Sequence, residues 1–421
     1  MTIQAVKGMG DIFPPESGNW RRLEASAAAV AERYGFNEIR IPIVEPAELF
    51  ARGLGDSSDI VQKEMFVFAD AGGKRLALRP EGTAGVVRAF IEKKLSASGG
   101  PVKFYYLGPM FRRERPQAGR RRQFHQFGTE ALGSSHPALD AETIDLLRSF
   151  LAAAGVKDYT LALNSVGCSQ CRPTYQRELD SFLKARRAAL CPNCRRRLEI
   201  NVLRVLDCKN PACRRVVAGA PVIVDHLCPD CAVHFDGVRG RLESLSIPFC
   251  LDPCLVRGLD YYTRTVFEVF SPALGAQDAL AAGGRYDNLV ESLGGDSTPA
   301  VGFSAGLERV LLAAPDPPES VSPSYEGVYL VSLGEEAFGG NFVLLSSLRR
   351  EGIRAEIDYG RRSLKAQMRS ADKFGARWAL IRGEEEMGQG VVKIKDLTGG
   401  REEEVADAAA LSTLLQKERK V

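Results

Sequence analysis

The stretch from Arg112 to Arg122 carries six arginines against one glutamate, and two aromatic-rich runs frame it. FYYLGPMF leads in and FHQFGTEAL leads out, both with the composition of β-strands, and Pro116 and Gly119 supply the turn between them. A hairpin with this density of guanidinium groups repels itself inside a core, so it must meet water or a polyanion. Phosphate suits it, because the planar fork of arginine grips two phosphate oxygens at once. A solvated basic loop is the competing reading, since charge runs usually face water.

At 421 residues the chain is too long for one ordinary core, and two or three domains are expected. Its 45% apolar and 26% charged content is that of a globular protein, and no apolar run approaches the ~20 residues that span a membrane. MTIQAVKGMGDIF lacks the pattern of a secretory signal, so a cytoplasmic location without a membrane partner is expected. Net charge is only +3, so any nucleic-acid contact must rest on local basic patches.

Apolar residues at 20, 23, 27, 30, 31 and 34 predict a helix over Trp20–Tyr34. Phe104–Leu107 and Arg264–Phe270 read as strands, and Ser304–Ala314 as a helix that begins near Gly302 and stops at Pro315. The proline- and serine-rich APDPPESVSPS, residues 314–324, reads as a linker. Beyond it VYLVSLG, RAEIDYG and RWALIRG alternate with helical stretches, the pattern of a small α/β domain.

Other segments narrow the reading of the hairpin. They are KGMGDIFPPE near the start, IRIPIVEPAELF (39–50), LRPEGTAG (78–85), LVRGLDYYTRTVFE (255–268), AGGRYDNLV (282–290) and AVGFSAGLERVLL (300–312). In this order, with the hairpin in the place of motif 2 and GLER in motif 3, they resemble the class II aminoacyl-tRNA synthetases. In detail they resemble the histidyl-tRNA synthetases. The resemblance implies an α/β fold: an antiparallel catalytic sheet flanked by helices, a Cys-rich insertion and a C-terminal α/β anticodon-binding domain. The corresponding division is 1–166 and 239–313 for the catalytic domain, 167–238 for the insertion, 314–324 for the linker and 325–421 for the anticodon-binding domain. It also implies ATP, L-histidine and tRNA(His) as partners, Mg²⁺ with the ATP, and a homodimer built on the segment around Pro42.

Residue by residue, the resemblance places Arg112 at the α-phosphate, Arg257 between the reacting carboxylate and the α-phosphate, and Arg309 at the γ-phosphate and adenine end. Gly306, three residues before Arg309, would leave room for the nucleotide. A neutral imidazole has one N–H donor and one bare nitrogen, so a selective pocket needs an acceptor and a hydroxyl on opposite sides of the ring. Glu130 and Tyr262 match those two positions in the family. Glu81, Thr83 and Gln126 match the groups at the substrate's ammonium, with Tyr261 beside them. Glu81 is also placed to start a helix, and both readings stand. His125 alternates with Gln126 along a strand and is expected to face away from the pocket. Arg285 and Tyr286 read equally as pocket wall or as packing. Arg115 and Gln117 are expected at the tRNA acceptor end.

Arg361, Lys365, Arg369, Lys373 and Arg377 recur every fourth residue, a basic stripe on a helix, with Leu364, Met368 and Ala371 offset as a core side. Such a stripe reads as RNA-binding or simply solvated. Eight of the ten cysteines form close pairs, Cys168/Cys171, Cys191/Cys194, Cys208/Cys213 and Cys228/Cys231. They suit two four-thiolate Zn²⁺ sites of unknown pairing, or reduced thiols packed in a small domain. Two rival functions remain: a synthetase-like regulatory subunit that senses histidine, and an RNA-binding zinc protein with an inactive catalytic fold.

Overall fold

The arginine-rich loop joins two ten-residue strands, Val102–Phe111 and Gln123–Leu132, paired antiparallel from Val102–Leu132 to Phe111–Gln123. The computed structural model describes residues 2–55, 58–117, 119–277, 279–314, 327–360 and 362–405. It divides into two units, Met1–Pro315 and Asp316–Val421. Of the expected linker only Ala314 lies among the described residues.

In the first unit the hairpin belongs to an eight-stranded sheet. Its order is Asn37–Glu38, Val102–Phe111, Gln123–Leu132, Ala300–Gly306, Ala279–Arg285, Thr263–Phe270, Thr160–Ser165 and Cys250–Leu251. Only the two edge pairs are parallel. One face is apolar: Phe127, Ala131, Val301 and Phe303 pack with Trp20, Ala27 and Val30 of the helix Glu16–Arg33 and with Leu147, Phe150 and Leu151 of Pro137–Ala153. On the other face Tyr106, Met110 and Leu132 pack under the helix Thr83–Glu92. Because strand side chains alternate, Gln126, Gly128 and Glu130 lie on that second face. A three-stranded sheet, ordered Val44–Pro46, Arg75–Leu78, Phe66–Ala69, stands beside it.

Two expectations need correction. Ser304–Gly306 is strand, not helix, and the helix is Leu307–Ala313. The small residues of VGFSAG are held by neighbours on both sides: Ser304 pairs with Gly128 and with Ala282, and that sheet pairing overrides local helix propensity. The insertion's boundary at 238 falls inside one helix, Pro229–Ser244, whose Phe235, Val238 and Leu242 join the main core. The helices Arg172–Lys184, Pro192–Ile200 and Pro211–Val217 have their own core, around Tyr175, Leu179, Leu183, Leu198 and Val205. That core is continuous with Val166, Leu255, Tyr262 and Val266 of the catalytic sheet and its signature segment.

The second unit has a five-stranded sheet, Ala355–Ile357, Val328–Ser332, Trp378–Arg382, Val392–Asp396, Glu402–Val405, parallel across the first three strands and antiparallel beyond. The basic helix is shorter than the stripe: it runs Leu364–Phe374 and ends at Gly375, whose left-handed φ of 71° stops it before Arg377. Lys365, Arg369 and Lys373 are exposed on it, and Arg361 lies outside the described residues. Its buried side is Gln367 and Ala371, whereas Leu364 is exposed. Gln367 is accommodated because it exchanges hydrogen bonds with the Ser332 backbone and donates to the Arg362 carbonyl.

Candidate active site

The loop end of the hairpin opens onto a cleft of about 170 Å³ whose wall includes Arg112, Gln126, Arg257, Gly306 and Arg309. Three segments far apart in sequence thus meet at one place: the hairpin, the stretch of Arg257, and Gly306–Arg309. Arg112 donates from Nε to the Pro80 carbonyl at 2.9 Å and stacks over Phe124 at 5.1 Å. Arg309 donates to the carbonyls of Gly119 at 2.9 Å and Ala279 at 2.7 Å, tying the loop to the helix Leu307–Ala313. Gly306 does not share a helix face with Arg309, because it ends the strand; the two still adjoin, a Cβ at Gly306 standing 3.7 Å from Arg309 Cδ. Burial, and then the positive charge of Arg120, lower the proton affinity of Arg309. A polyanion in the cleft relieves that repulsion.

Arg257 pairs with Glu268 at 2.8 Å. Burial works against its charge, but Glu268 and the phenols of Tyr262 and Tyr261 hold it firmly protonated. Its Nε, and Oε1 of Gln126, are buried with no hydrogen-bond partner among the described residues. Groups left so cost about 1–3 kcal/mol each unless a ligand meets them.

Behind the cleft lies a second constellation. Glu130, 1% exposed, accepts hydrogen bonds from Thr83 Oγ1 at 2.6 Å and from the Tyr286 hydroxyl. Burial pushes its carboxyl up to about 8, against the pull of those two donors. Glu81 accepts from the backbone N–H of Thr83 at 2.7 Å and of Ala84 at 2.9 Å, so it does cap the helix, and burial raises its carboxyl too. Ring contacts continue from Tyr286 to Tyr261 at 5.6 Å, to Tyr262 at 4.6 Å, and on to Arg257 at 5.9 Å. The carboxylate end and the guanidinium end are therefore one connected site.

Close backbone approach makes that site possible. A Cβ at Gly302 would stand 2.0 Å from Glu130 Oε2, and one at Gly128 would stand 2.2 Å from the Tyr106 ring. Gly302→Ala should therefore displace the Glu130 carboxylate and cost about 1–3 kcal/mol of stability through overpacking. Thermal unfolding checks it: the expected variant melts lower.

His125 faces the other side, its ring 4.8 Å from Trp20 and 3.0 Å from Glu308. Arg285 and Tyr286 divide: Arg285 is fully buried among Asp140, Asp287 and the Ser134 carbonyl, whereas Tyr286 serves Glu130. Arg115 and Gln117 are exposed near the loop tip, where Gln117 bridges Arg120. Sequence reasoning passed over Tyr106, Glu268 and Glu308. Glu268 interrupts the apolar strand TRTVFEVF, and an acid at such a position signals a partner.

The cysteines resolve into two groups, Cys168/Cys171/Cys228/Cys231 and Cys191/Cys194/Cys208/Cys213, with all four sulfurs of each within 4.8 Å of one another. Sulfur–sulfur edges of 3.5, 3.8 and 3.9 Å match the edge of about 3.8 Å implied by four Zn–S bonds of ~2.3 Å in a tetrahedron. Backbone N–H groups of Cys228 and Cys191 point at sulfurs of Cys171 and Cys213, at 3.1 and 3.2 Å. The donor set fits a metal ion at each group.

The sequence profile of the Histidyl-tRNA synthetase family matches residues 8–180 and 224–310, and that of the Anticodon binding domain matches 328–417. A histidine–tRNA ligase from Moorella thermoacetica is 53% identical over 414 residues, covering 98% of this chain and 97% of the relative. One from Natranaerobius thermophilus is 49% identical, covering 96% and 97%. Among solved structures, apo histidyl-tRNA synthetase from S. aureus is similar with a TM-score of 0.82 and 34% identity, over 99% of both chains. A Bacillus halodurans protein described as an ATP phosphoribosyltransferase regulatory subunit/histidyl-tRNA synthetase shares the fold, with a TM-score of 0.65 at 20% identity over 91% of this chain and 97% of that one. The chain belongs to the histidyl-tRNA synthetase family.

Proposed function

We propose that this chain works as a histidine–tRNA ligase through the two connected halves of its site. The observation that carries this reading is a buried carboxylate, Glu130, joined through Tyr286, Tyr261 and Tyr262 to a cleft walled by Arg112, Arg257 and Arg309. Glu130 accepts the ring N–H of the substrate's imidazole, and the Tyr262 hydroxyl meets the other nitrogen. Glu81, Thr83 and Gln126 hold the ammonium. The substrate carboxylate then attacks the α-phosphorus of ATP; a P–O bond forms, the bond to the β-phosphate breaks, and pyrophosphate leaves. Arg112 and Arg257 place positive charge where negative charge grows in that step, and Arg309 holds the far phosphate end. Mg²⁺ bound with the nucleotide would supply further charge neutralisation, and Glu114, Glu268 and Glu308 are the carboxylates on the cleft wall. In the second step the terminal ribose hydroxyl of tRNA(His) takes the histidyl group and AMP is released.

Arg115 and Gln117 are assigned to the acceptor end of the tRNA, and Lys365 and Arg369 to the anticodon region. Ile43 and Val44, exposed in the segment around Pro42, supply apolar surface for a homodimer where one is expected. Zn²⁺ at the two cysteine groups is structural in this reading, and such thiolates belong in a reducing, cytoplasmic setting. No described helix is long and apolar enough to cross a membrane.

Histidine-dependent ATP–pyrophosphate exchange tests the reading, followed by charging of tRNA(His). A folded protein that binds histidine but catalyses no exchange would instead be the regulatory subunit. Proton linkage offers a second check. With its carboxyl at about 8, Glu130 is mostly protonated at pH 7, and an imidazole N–H donor favours the charged form. Histidine binding at pH 7.5 should therefore release a proton fraction, read by calorimetry in buffers of different ionisation enthalpy. Uptake, or no exchange of protons, would remove Glu130 as the imidazole's acceptor.

A further inference from the structure

The first cysteine group is joined to the amino-acid pocket by the residue that follows Cys171. Arg172 donates from Nη2 to the Tyr262 carbonyl at 2.5 Å and to the Gly167 carbonyl at 3.5 Å, and from Nε to the Val166 carbonyl at 3.4 Å. One planar guanidinium thus ties the backbone under Tyr262 to the turn that carries Cys168 and Cys171. The same turn is stitched directly to the strand after Tyr262. Val166 N–H donates to the Arg264 carbonyl at 2.7 Å, and Arg264 N–H donates to the Gly167 carbonyl at 2.8 Å. Arg264 holds φ at 51°, a left-handed conformation that a non-glycine residue keeps only where its surroundings impose it. The Tyr262 side chain packs in the same apolar cluster as Tyr175 and Leu179 of the helix that Arg172 begins. Cys228 and Cys231 close the group from a distant point of the chain, so a metal held by the four sulfurs would fix the turn further.

We infer that the Cys168/Cys171/Cys228/Cys231 centre is a positioning element of the histidine pocket, with Arg172 as the positioning residue that transmits the fixed turn to Tyr262. This rests on the reading above that the centre holds zinc and that Tyr262 meets the imidazole. Lysine is a poor replacement for Arg172, because a single ammonium does not present the separate Nε and Nη2 donors that reach the Val166, Gly167 and Tyr262 carbonyls. The second group meets the pocket differently: Cys194 and Cys213 share the apolar cluster of Tyr262, and Asn201 donates to Asp260 at 3.1 Å near the surface, but among the described residues no arginine beside these cysteines is bonded to the Tyr262 backbone.

The test uses the full chain purified without chelator, with zinc counted by mass spectrometry and histidine affinity measured by calorimetry. Expected are two zinc ions per chain in the parent and in Arg172→Lys. The variant's Kd and KM for histidine should rise about ten- to a hundredfold, as for other residues that orient a site, while KM for ATP stays within about twofold. Zinc retained with unchanged histidine affinity overturns the coupling and leaves the zinc reading standing. A parent chain without zinc overturns both, whatever its exchange activity. A parent that holds zinc but does not bind histidine removes the pocket reading, and the coupling falls with it. Should Arg172→Lys not fold, the parent chain with Co²⁺ in both centres decides. A shift of the cobalt d–d bands on adding histidine supports the coupling, and an unchanged spectrum at saturating histidine overturns it.

Discussion

Replacing Arg257 by alanine is expected to slow histidine-dependent ATP–pyrophosphate exchange about 10²–10³-fold, with much smaller changes in KM for histidine and ATP. The size follows from where the charge stands. In the proposed function Arg257 stands between the two reacting groups: it lies 5.9 Å from the Tyr262 ring on one side and lines the arginine-walled cleft on the other. Both reacting groups are anionic there, and the negative charge peaks in the transition state. Glu268 holds the guanidinium in place at 2.8 Å and keeps it protonated, at the cost of weakening its field. In the alanine variant Glu268 is left partly buried without its partner. The double variant Arg257→Ala/Glu268→Gln therefore separates a folding defect from the lost charge: it should recover thermal stability but not exchange. Equal kcat in parent and single variant would take Arg257 out of the adenylation step.

Glu130→Ala is expected to lower kcat/KM for histidine by about 10³-fold, or about 4 kcal/mol, while leaving KM for ATP nearly unchanged. In the proposed function this carboxylate accepts the imidazole N–H, and without it the hydroxyls of Thr83 and Tyr286 lose their common partner. Glu130→Gln keeps a carbonyl acceptor and should lose less. The two variants also differ in their response to pH. A carboxyl raised to about 8 in the folded chain favours the neutral form, so its contribution to stability is full below its unfolded value. That contribution declines as pH rises toward 8. In Glu130→Gln this slope should disappear, and melting curves from pH 5 to 8.5 would read it. A loss in histidine specificity of less than tenfold for Glu130→Ala would move the recognition elsewhere, with Tyr262 the first place to look.

Much of the catalytic unit was legible because its motifs are local. The hairpin shows in the aromatic runs on either side of the arginines. Strand alternation alone separates Gln126 from His125, and the structure puts one at the cleft and the other against Trp20. Local pattern failed where a neighbour decides. Ser304–Gly306 looks helical with the residues after it, but strands on both sides hold it extended. Leu364 has the right spacing for a core side and is exposed, while polar Gln367 is buried because the Ser332 backbone meets its amide.

What the sequence by itself determined is therefore the set of chemical groups: clustered guanidinium groups, carboxyls and phenols in the motif segments, and eight thiols at metal-ligand spacing. Tertiary structure alone decided their pairing. It joined Cys168/Cys171 to Cys228/Cys231, gave Tyr286 rather than Arg285 to Glu130, set Glu268 beside Arg257, and placed Arg172 under Tyr262. The physical reason is range. Strand and helix periods act over a few residues, whereas these partners stand up to 156 positions apart and meet only when the sheet closes around them.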